Sequence, residues 1–366
     1  MSTKLRVLHL AEGAAFAGIE THLAALSHVF GPLDVNMKVA LFADGPLSGL
    51  LRDADVEYRV FRRRWKFDPR PVGEIAAWLR AGADILHTHG YLADVYGRRA
   101  ARAAGKPHVA TVHGHPEPFR GFADWKMRWY MRLDRRALSS AAAVIAVSET
   151  LAEDLSSTGV PRERIHVIEN GLRPSVATEA DIQALRKNFG DGPVVGFVGR
   201  FDPVKAPLRF VQTAHRILNA HPTARFLLAG DGPLLGEAKS AAGASGRDKA
   251  FSFLGFRNDV DAVIGACDFL LMPSDSEGVP QVLLAAMRDG AVPVCSAVGG
   301  IPAVLDGFED CLAPPRAEEL ADRLSALIQD GAKAASVRQS LKKRFQERYT
   351  AETMASRVAG LYRSLT

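Results

Sequence analysis

The feature that most constrains the fold is an alternation of short apolar runs with longer helical patterns, and this alternation occurs twice. In the first half, the strand-like runs are residues 5–10, 36–42, 85–87, 108–112, 144–147 and 166–168. In the second half, they are residues 194–198, 225–229, 250–253, 269–272 and 292–295. Strands that alternate with helices form a parallel sheet with helices on both faces. We therefore expect an α/β protein with two such sheets.

The two series of strands predict two domains. A chain of 366 residues is long enough for about two domains of ordinary size. A polar stretch at residues 173–191, with a short helical pattern inside it, separates the series. We predict an N-terminal domain over residues 1–175, a C-terminal domain over 176–348 and a last helix over 349–366. Ligands of open α/β sheets bind beyond the carboxyl ends of the strands, so the loops that follow the strands are the place to look for a site.

Composition excludes several other classes of protein. Lys and Arg number 46 against 41 Asp and Glu, and this net charge of +5 is too small to indicate a nucleic-acid binder. The three cysteines are far apart and form no C-x-x-C pair, which argues against a disulfide framework and a structural zinc site. The longest apolar run has seven residues, whereas a membrane span needs about 18. No signal-peptide core precedes the first strand, so we expect a cytoplasmic protein.

The strongest candidate site in the second half combines two cations and a helix start. Arg200 and Lys205 follow the strand at 194–198, and two cations at the tip of a parallel strand suit a diphosphate. Glu277 and Gly278 precede a helix that is expected from about Pro280, and a helix N-terminus presents N–H groups to an anion. Glu277 would repel phosphate, so it suits the hydroxyls of a sugar. A helix cap at Ser276 or Glu277, with two solvated cations nearby, is the structural alternative.

Histidines mark two strand ends in the first half. His113 and His115 follow one strand, and His87 and His89 lie at the end of another. A histidine at a strand end can act as a donor, a base or a ligand. Zinc is not favoured, because no carboxylate or cysteine completes a recognisable ligand spacing. A satisfied structural histidine is the better interpretation of His87.

At this point the motifs resemble a known family. The order AGIE, HTHG, TVHG, ENGL, GRFDPVKA, AGDGP, EGVPQVLLAAM and GGIP resembles glycosyltransferase family 4 over about residues 10–305. The resemblance implies the GT-B fold, in which two Rossmann-like domains face each other across a cleft, with the last helix crossing back to the first domain. It also implies transfer of a sugar, with retention, from a nucleotide-sugar donor to a glycan or lipid-linked acceptor. Such a reaction belongs to the synthesis of cell-surface polysaccharide, lipopolysaccharide or glycolipid.

The resemblance assigns roles to the second-half residues. Arg200 and Lys205 resemble the pair that holds the donor diphosphate. Glu277 resembles the first glutamate of the family's E-x(7)-E motif, which lies near the donor sugar hydroxyls. Gly278 and Val279 would lend backbone N–H groups to the phosphates. These groups supply the charge that a diphosphate leaving group needs, so we expect no metal and no cofactor besides the nucleotide-sugar co-substrate.

The resemblance also assigns roles in the first half. His113 resembles the histidine at the reaction centre, and it joins Glu277 as a candidate catalytic residue. Gly18 would let the backbone of its loop approach the phosphate. Asn170 and Gly171 resemble the hinge between the two domains.

The chain departs from the family at two positions. The second glutamate of the E-x(7)-E motif, which holds the ribose hydroxyls, is replaced by Ala285, and Ala303 stands where an acid usually follows the G-G-x-P motif. The lost ribose contact would cost about 1.5–3 kcal/mol of donor binding. Gln281 and Arg288 lie about one helical turn from Ala285, and we hypothesise that Gln281 partly replaces the contact. The alternatives are a degenerate, non-catalytic GT-B scaffold and a GT-B sugar-nucleotide epimerase.

The basic charge lies in two segments of the first half. The segment from Arg59 to Arg70 carries a net charge of +5, and the segment from Arg120 to Arg136 carries +4. In the second segment Trp129 shares a helical stripe with Phe122 and Trp125, beside several arginines. Basic and aromatic residues on one helix suit an anionic membrane surface, although a core-facing stripe with a solvated back is the structural alternative. We expect a peripheral contact with the inner face of the cell membrane, and no nucleic acid as partner.

Overall fold

The computed structural model describes residues 4–14, 18–114, 124–244 and 246–366, with the backbone alone at 124–128. The chain divides into two compact units. Unit 1 comprises Met1–Arg173 and Thr350–Thr366, and unit 2 comprises Pro174–Tyr349. The final segment of the chain therefore belongs to the same unit as its beginning.

The strands of the described residues fall into two groups. Unit 1 has β1 (Leu5–Ala11), β2 (Val35–Leu41), β3 (Glu57–Val60), β4 (Ile85–His89), β5 (His108–Val112), β6 (Ala143–Ala146) and β7 (Ile165–Val167). Unit 2 has β8 (Val194–Val198), β9 (Arg225–Ala229), β10 (Phe251–Gly255), β11 (Phe269–Met272), β12 (Val292–Ser296) and β13 (Leu312–Ala313).

The helices follow the strands in alternation. The first eight are α1 (Gly18–Val29), α2 (Pro46–Asp53), α3 (Arg70–Gly82), α4 (Tyr91–Ala104), α5 (Asp124–Ser139), α6 (Glu149–Ser157), α7 (Glu179–Arg186) and α8 (Pro207–Ala220). They are followed by α9 (Leu235–Gly243), α10 (Val260–Gly265), α11 (Gln281–Asp289), α12 (Ile301–Val304), α13 (Ala317–Gln329), α14 (Gly331–Arg348) and α15 (Ala351–Ser364). In the part of the chain that the structure describes, no helix is both long enough and apolar enough to cross a membrane.

Both sheets are parallel, and the order of their strands fixes where a ligand can bind. Over the described residues, the sheet of unit 1 has the order β3-β2-β1-β4-β5-β6-β7, and the sheet of unit 2 has the order β10-β9-β8-β11-β12-β13. Each order reverses beside the first strand of the sheet, between β1 and β4 in unit 1 and between β8 and β11 in unit 2. Such a reversal opens a crevice at the carboxyl ends of the two strands, and ligands of this class of fold bind there.

Local sequence explains where several helices begin and end. Ser148 accepts a hydrogen bond from the Leu151 N–H at the start of α6. Thr178 and Asp181 form a capping box at the start of α7, inside the predicted linker. Gly290 ends α11 at a φ of 93°, a conformation that glycine adopts without a steric penalty.

The last helix of the chain packs into the core of unit 1. Thr350 caps α15 by accepting from the Thr353 N–H. Val358 and Tyr362 of α15 join Leu23 and Leu26 of α1 in one apolar cluster. Tyr362 is completely buried, so its hydroxyl needs a partner inside the protein.

Two strands were missed from the sequence, and both lie at the edges of the sheets. In β3 exposed residues alternate with half-buried ones, so no apolar run marks it, and β13 has only two residues. Other strand ends differ from prediction by a residue or two. The prediction of two parallel α/β sheets is confirmed.

Candidate functional site

The crevice of unit 2 brings together Lys205, from the loop after β8, and Glu277, from the loop after β11. The Lys205 Nζ lies 2.7 Å from both carboxylate oxygens of Glu277. The side chain of Glu277 is only 6% exposed, against 27% for Lys205. Ser274, also buried, donates its hydroxyl to the Glu277 Oε1 at 2.6 Å. The carboxylate is thus held by a cation and a hydroxyl, and the ammonium keeps an open side.

Arg200 lies on the same loop as Lys205 but makes a different ion pair. Its guanidinium is 2.8 Å from the Asp202 carboxylate, and its side chain is 64% exposed. Asp202 also accepts from the backbone N–H of Lys205 at 2.9 Å, which fixes the turn between the two cations. The structure therefore joins Lys205 to Glu277 and leaves Arg200 on the exposed part of the loop.

Glycines hold the loops of this crevice in place. A Cβ on Gly299 would lie 1.8 Å from the carbonyl oxygen of Glu277, and its φ of +56° is one that glycine favours. A Cβ on Gly230 would lie 1.8 Å from the carbonyl oxygen of Gly199, at the end of β8. The G-G-I-P motif thus packs against the loop that carries Glu277, and the A-G-D-G-P motif packs against the loop that carries Arg200 and Lys205.

The start of α11 does not match the structural alternative of a helix cap at Ser276 or Glu277. The N-cap is Pro280, without a side-chain cap, and Glu277 binds Lys205 instead. Gly278 and Val279 form the turn just before the helix, which begins at Gln281. The N-terminus of α11, which is the positive end of the helix dipole, therefore comes shortly after Glu277 along the chain.

Gln281 and Arg288 are the two candidates for the ribose contact of the missing second glutamate. The Arg288 side chain is 8% exposed and contacts Asp261 at 2.6 Å and Asp289 at 2.7 Å. Ala285 is buried, and Gln281 is half-buried at the first position of α11. Replacement of the ribose contact by Gln281 stays a hypothesis.

In unit 1, histidines from three neighbouring strands or their ends form a hydrogen-bonded chain. The His9 Nδ1 lies 3.0 Å from the His89 Nε2. The His89 Nδ1 lies 3.1 Å from the Nε2 of His113, which follows β5. His9 and His87 are register partners on β1 and β4, where the strand order reverses. His113 is half-buried, whereas His9 and His89 are buried.

Two further histidines complete this group, which we call the histidine cluster: His9, His22, His87, His89 and His113. His87 bonds the Tyr362 hydroxyl at 2.5 Å and the Thr111 hydroxyl at 2.7 Å, so it is a satisfied structural histidine, as predicted. His22 of α1 bonds the Asn170 Oδ1 at 3.1 Å and meets His113 edge to face, with ring centroids 4.8 Å apart. Asn170, expected in a hinge, is therefore anchored inside unit 1.

Burial keeps these histidines neutral. It lowers the pKa of His9 to about 3 and that of His22 to about 4. Burial also lowers the pKa of His87, His89 and His113 well below the usual value, and neighbouring histidines lower it further. Neutral imidazole can accept a proton or ligate a metal.

Sequence reasoning missed His9 and His22. A polar residue inside the apolar run V-L-H-L-A was the available signal for His9, because a buried polar group must find a partner. Nothing comparable marked His22, which lies on a helix. Gly18 is the first residue of α1 and is exposed, while Phe16 and Ala17 before it lie outside the described residues.

The two basic segments meet on unit 1. Phe67 packs against Trp129 with ring centroids 5.1 Å apart, and the Lys66 ammonium lies 3.9 Å from the centroid of the Tyr130 ring. Trp65 and Trp129 remain 58% and 47% exposed. We call this surface, formed by Trp65, Lys66, Phe67, Trp129 and Tyr130, the basic aromatic face. The predicted contributions of Arg120, Phe122 and Trp125 lie outside the described side chains.

Comparison with known proteins identifies the family. Residues 7–176 match the model described as Glycosyltransferase Family 4, and residues 192–330 match the model described as Glycosyl transferases group 1. The 2-deoxystreptamine glucosyltransferase of Streptomyces kanamyceticus is 30% identical over 291 residues, which cover 71% of this chain and 75% of that protein. The chain belongs to glycosyltransferase family 4.

Two other similar proteins agree with this assignment. The UDP-Gal:alpha-D-GlcNAc-diphosphoundecaprenol alpha-1,3-galactosyltransferase of Escherichia coli is 31% identical over 242 residues, 62% of either chain. HepE of Anabaena, solved in complex with UDP-glucose, matches with a TM-score of 0.85 at 25% identity, over 99% of this chain and 100% of HepE. The predicted family and GT-B fold are confirmed, and this family 4 protein is a glycosyltransferase.

Proposed function

We propose that this glycosyltransferase moves a sugar from a nucleotide-diphosphate donor, with retention of configuration, to a glycan or lipid-linked acceptor. The observation that carries the proposal is the Lys205–Glu277 pair in the crevice of unit 2. A cation and an acceptor carboxylate side by side suit the junction of a diphosphate and a sugar, because one binds phosphate oxygen and the other binds hydroxyls.

The leaving group decides what the residues must do. Departure of a nucleoside diphosphate leaves negative charge on phosphate oxygen, and fixed positive groups stabilise that charge. In the proposal Lys205 and Arg200 supply the cations, while Gly278 and Val279 present N–H groups at the positive end of α11. These protein groups supply the required charge without a metal. HepE, solved with UDP-glucose, and the galactosyltransferase named for UDP-Gal support a nucleotide sugar as donor.

The remaining roles complete the proposed transfer. Glu277 holds hydroxyls of the donor sugar, and His113 orients that sugar. In a retaining transfer on the leaving-group face, the acceptor oxygen bonds to the anomeric carbon as the bond to phosphate breaks. The proton of the acceptor hydroxyl then passes to the departing phosphate, so the proposal needs no separate base. Neutral His113 is suited to a hydrogen bond with a hydroxyl.

The acceptor side of the proposal rests on the basic aromatic face. Exposed tryptophans beside lysine and arginine favour an anionic membrane surface, since the rings enter the interface and the cations meet lipid headgroups. A lipid-linked acceptor would be presented at such a surface. The galactosyltransferase relative is named for a diphosphoundecaprenol-linked acceptor.

The decisive test of the transfer is release of nucleotide from a panel of UDP-, GDP- and ADP-sugars, with and without candidate acceptors, in the presence of EDTA. We expect one donor to be consumed, and NMR of the product to show the anomeric configuration of the donor. Inversion would overturn retention, and activity restored only by a divalent ion would overturn the metal-free proposal. Epimerised donor without acceptor would favour an epimerase, and binding without any turnover would favour a scaffold.

The membrane contact has its own test. The wild-type chain should float with vesicles that contain anionic phospholipid at low salt, and high salt should release it. Trp129→Ala should weaken the association. Phe256→Ala is the matched control, because Phe256 is 63% exposed and belongs to unit 2, whereas the basic aromatic face belongs to unit 1. Equal flotation of both variants, or none by the wild type, would contradict the contact.

A further inference from the structure

Three members of the histidine cluster lie close enough together to hold a metal ion after small side-chain shifts. His22, His89 and His113 each offer one ring nitrogen, and the three nitrogens lie within 4.8 Å of one another. Zinc ligated by imidazole at about 2.0–2.1 Å holds ligand nitrogens about 3.4 Å apart in a tetrahedral site. The His89 Nδ1 and His113 Nε2 are already 3.1 Å apart. Side-chain shifts of about 1 Å would therefore bring the set to ligating distance.

His22 is oriented as a ligand by a second residue. Its Nδ1 bonds the Asn170 Oδ1, which can only accept, so the proton of the neutral ring lies on Nδ1. The Nε2 of His22 is then a bare lone pair, and among the described residues no group bonds this buried atom. Histidines that ligate metals almost always donate their other ring N–H in this way. An unpartnered buried acceptor destabilises the fold, and a bound cation would remove that cost.

His89 and His113 can each offer a nitrogen lone pair to a metal ion if the ring protons are rearranged, without loss of a proton. His9, His89 and His113 are neutral and carry three protons between them. His89 can bind a metal through Nδ1 while its Nε2–H donates to the His9 Nδ1, and the His9 proton then lies on Nε2. His113 can bind through Nε2 with its proton on Nδ1, an atom that has no bond within the described part of the chain. Only the His89–His113 hydrogen bond is broken.

A second trio in the same cluster is less suitable. His9, His87 and His89 also offer nitrogens within 4.8 Å, but both nitrogens of His87 are already bonded to Tyr362 and Thr111. All three of these side chains are buried, whereas His113 of the first trio is half-buried.

We propose that His22, His89 and His113 bind a divalent transition-metal ion of the imidazole-preferring class, with Zn²⁺ as the test ion, and that the bound ion inhibits sugar transfer. Three imidazoles with an open fourth position are an established zinc environment, with water as the fourth ligand. Inhibition rests on the proposed function, because the ion occupies a nitrogen of His113 and takes this ring away from the donor sugar. Mg²⁺ prefers oxygen ligands and should not bind here.

The binding test needs no substrate. The metal-free chain is titrated with Co²⁺, whose visible absorption reports ligand geometry, and Zn²⁺ is then used to displace it. We expect one Zn²⁺ per chain and a tetrahedral or five-coordinate Co²⁺ spectrum. His22→Gln should weaken Zn²⁺ binding by about 100-fold or more, since loss of an outer partner alone costs about 10–100-fold. His28→Gln, the same change at an exposed position of α1, is the matched control and should bind like the wild type.

Two further arms keep the proposal falsifiable. If His22→Gln fails to fold, His113→Gln removes a ligand at a half-buried position and should weaken binding similarly. Equal Zn²⁺ affinity in the wild type and in either folded ligand variant would overturn the site. In the activity arm, Zn²⁺ should inhibit donor turnover at the concentration that fills the site, EDTA should restore it, and Mg²⁺ should have no effect. Zn²⁺ binding without inhibition would overturn only the role of His113, whereas inactivity in EDTA would count against the proposed function itself.

Discussion

Replacement of Lys205 by methionine should destabilise unit 2 more than replacement of its partner, Glu277. Without Lys205, the Glu277 carboxylate would keep the Ser274 hydroxyl as its one side-chain partner among the described residues, and it is 6% exposed. Removal of one partner from a buried ion pair lowers the free energy of unfolding by about 3–5 kcal/mol. Because Ser274 still donates, we expect the lower end of that range, about 3 kcal/mol.

The opposite change should cost less. In Glu277→Gln the Lys205 ammonium can turn to solvent, since it is 27% exposed, and an amide oxygen can still accept from it. We expect a cost of about 1 kcal/mol, in the range of one ordinary hydrogen bond. The double variant buries no unpaired charge, so it should be about 2 kcal/mol more stable than the sum of the single changes predicts.

Calorimetric melting of the four proteins measures these differences. For a unit of this size, 1 kcal/mol shifts the melting temperature by about 2–4 °C, so Lys205→Met should lower the transition of unit 2 by about 6–12 °C. Lys343→Met, at a lysine that is 77% exposed, is the matched control and should melt like the wild type. Additive single changes, or a Lys205→Met transition equal to that of the control, would refute the argument that a buried carboxylate depends on Lys205.

Three further predictions test other parts of the structure. Burial raises the pKa of Asp134, which lies beside Asp94, above its ordinary 3.8 to about 6. The folded chain therefore binds this proton more tightly than the unfolded chain, and the free energy of unfolding falls by about 3 kcal/mol as pH rises from about 4 to 6. Asp134→Asn should raise the melting temperature at pH 7.5 and flatten this fall, and an unchanged dependence of the melting temperature on pH would contradict the argument. Gly299→Ala should cost at least about 1 kcal/mol and impair donor turnover, because the new Cβ meets the Glu277 carbonyl. Gly236→Ala, with open space around it inside α9, should leave turnover unchanged and should not lower the melting temperature. Gln281→Ala should raise the donor KM several-fold if Gln281 replaces the ribose contact, and an unchanged KM would end that hypothesis.

The parallel architecture could be predicted because each central strand is a nearly unbroken apolar run. The run at residues 194–198 coincides with β8, and that at 225–229 coincides with β9. Such strands are buried on both faces, and this leaves a strong signal in the sequence. The edge strand β3 carries polar and exposed residues because solvent covers part of it, so its sequence resembles a loop.

The sequence predicts which residues belong to the candidate site, but it does not predict which of their side chains contact each other. The positions of Lys205 and Glu277 after two strands made them candidates, yet their ion pair depends on β8 and β11 being neighbours across the reversal of strand order. The same holds for His22 and Asn170, which are 148 residues apart and meet only through the fold. Arg288 illustrates the opposite error, since its distance along the helix suited a ligand role while two aspartates already hold it.

The measurement that tests the central claim most directly is the melting temperature of the wild type and of Lys205→Ala with UDP, GDP and ADP, each variant compared with its own nucleotide-free sample. We predict that one nucleoside diphosphate stabilises the wild type by about 2.7 kcal/mol at 100 times its Kd, and that Lys205→Ala loses most of this shift at the same concentration. No shift with any of the three nucleotides, or an equal shift in both proteins, would contradict a donor-diphosphate site at Lys205.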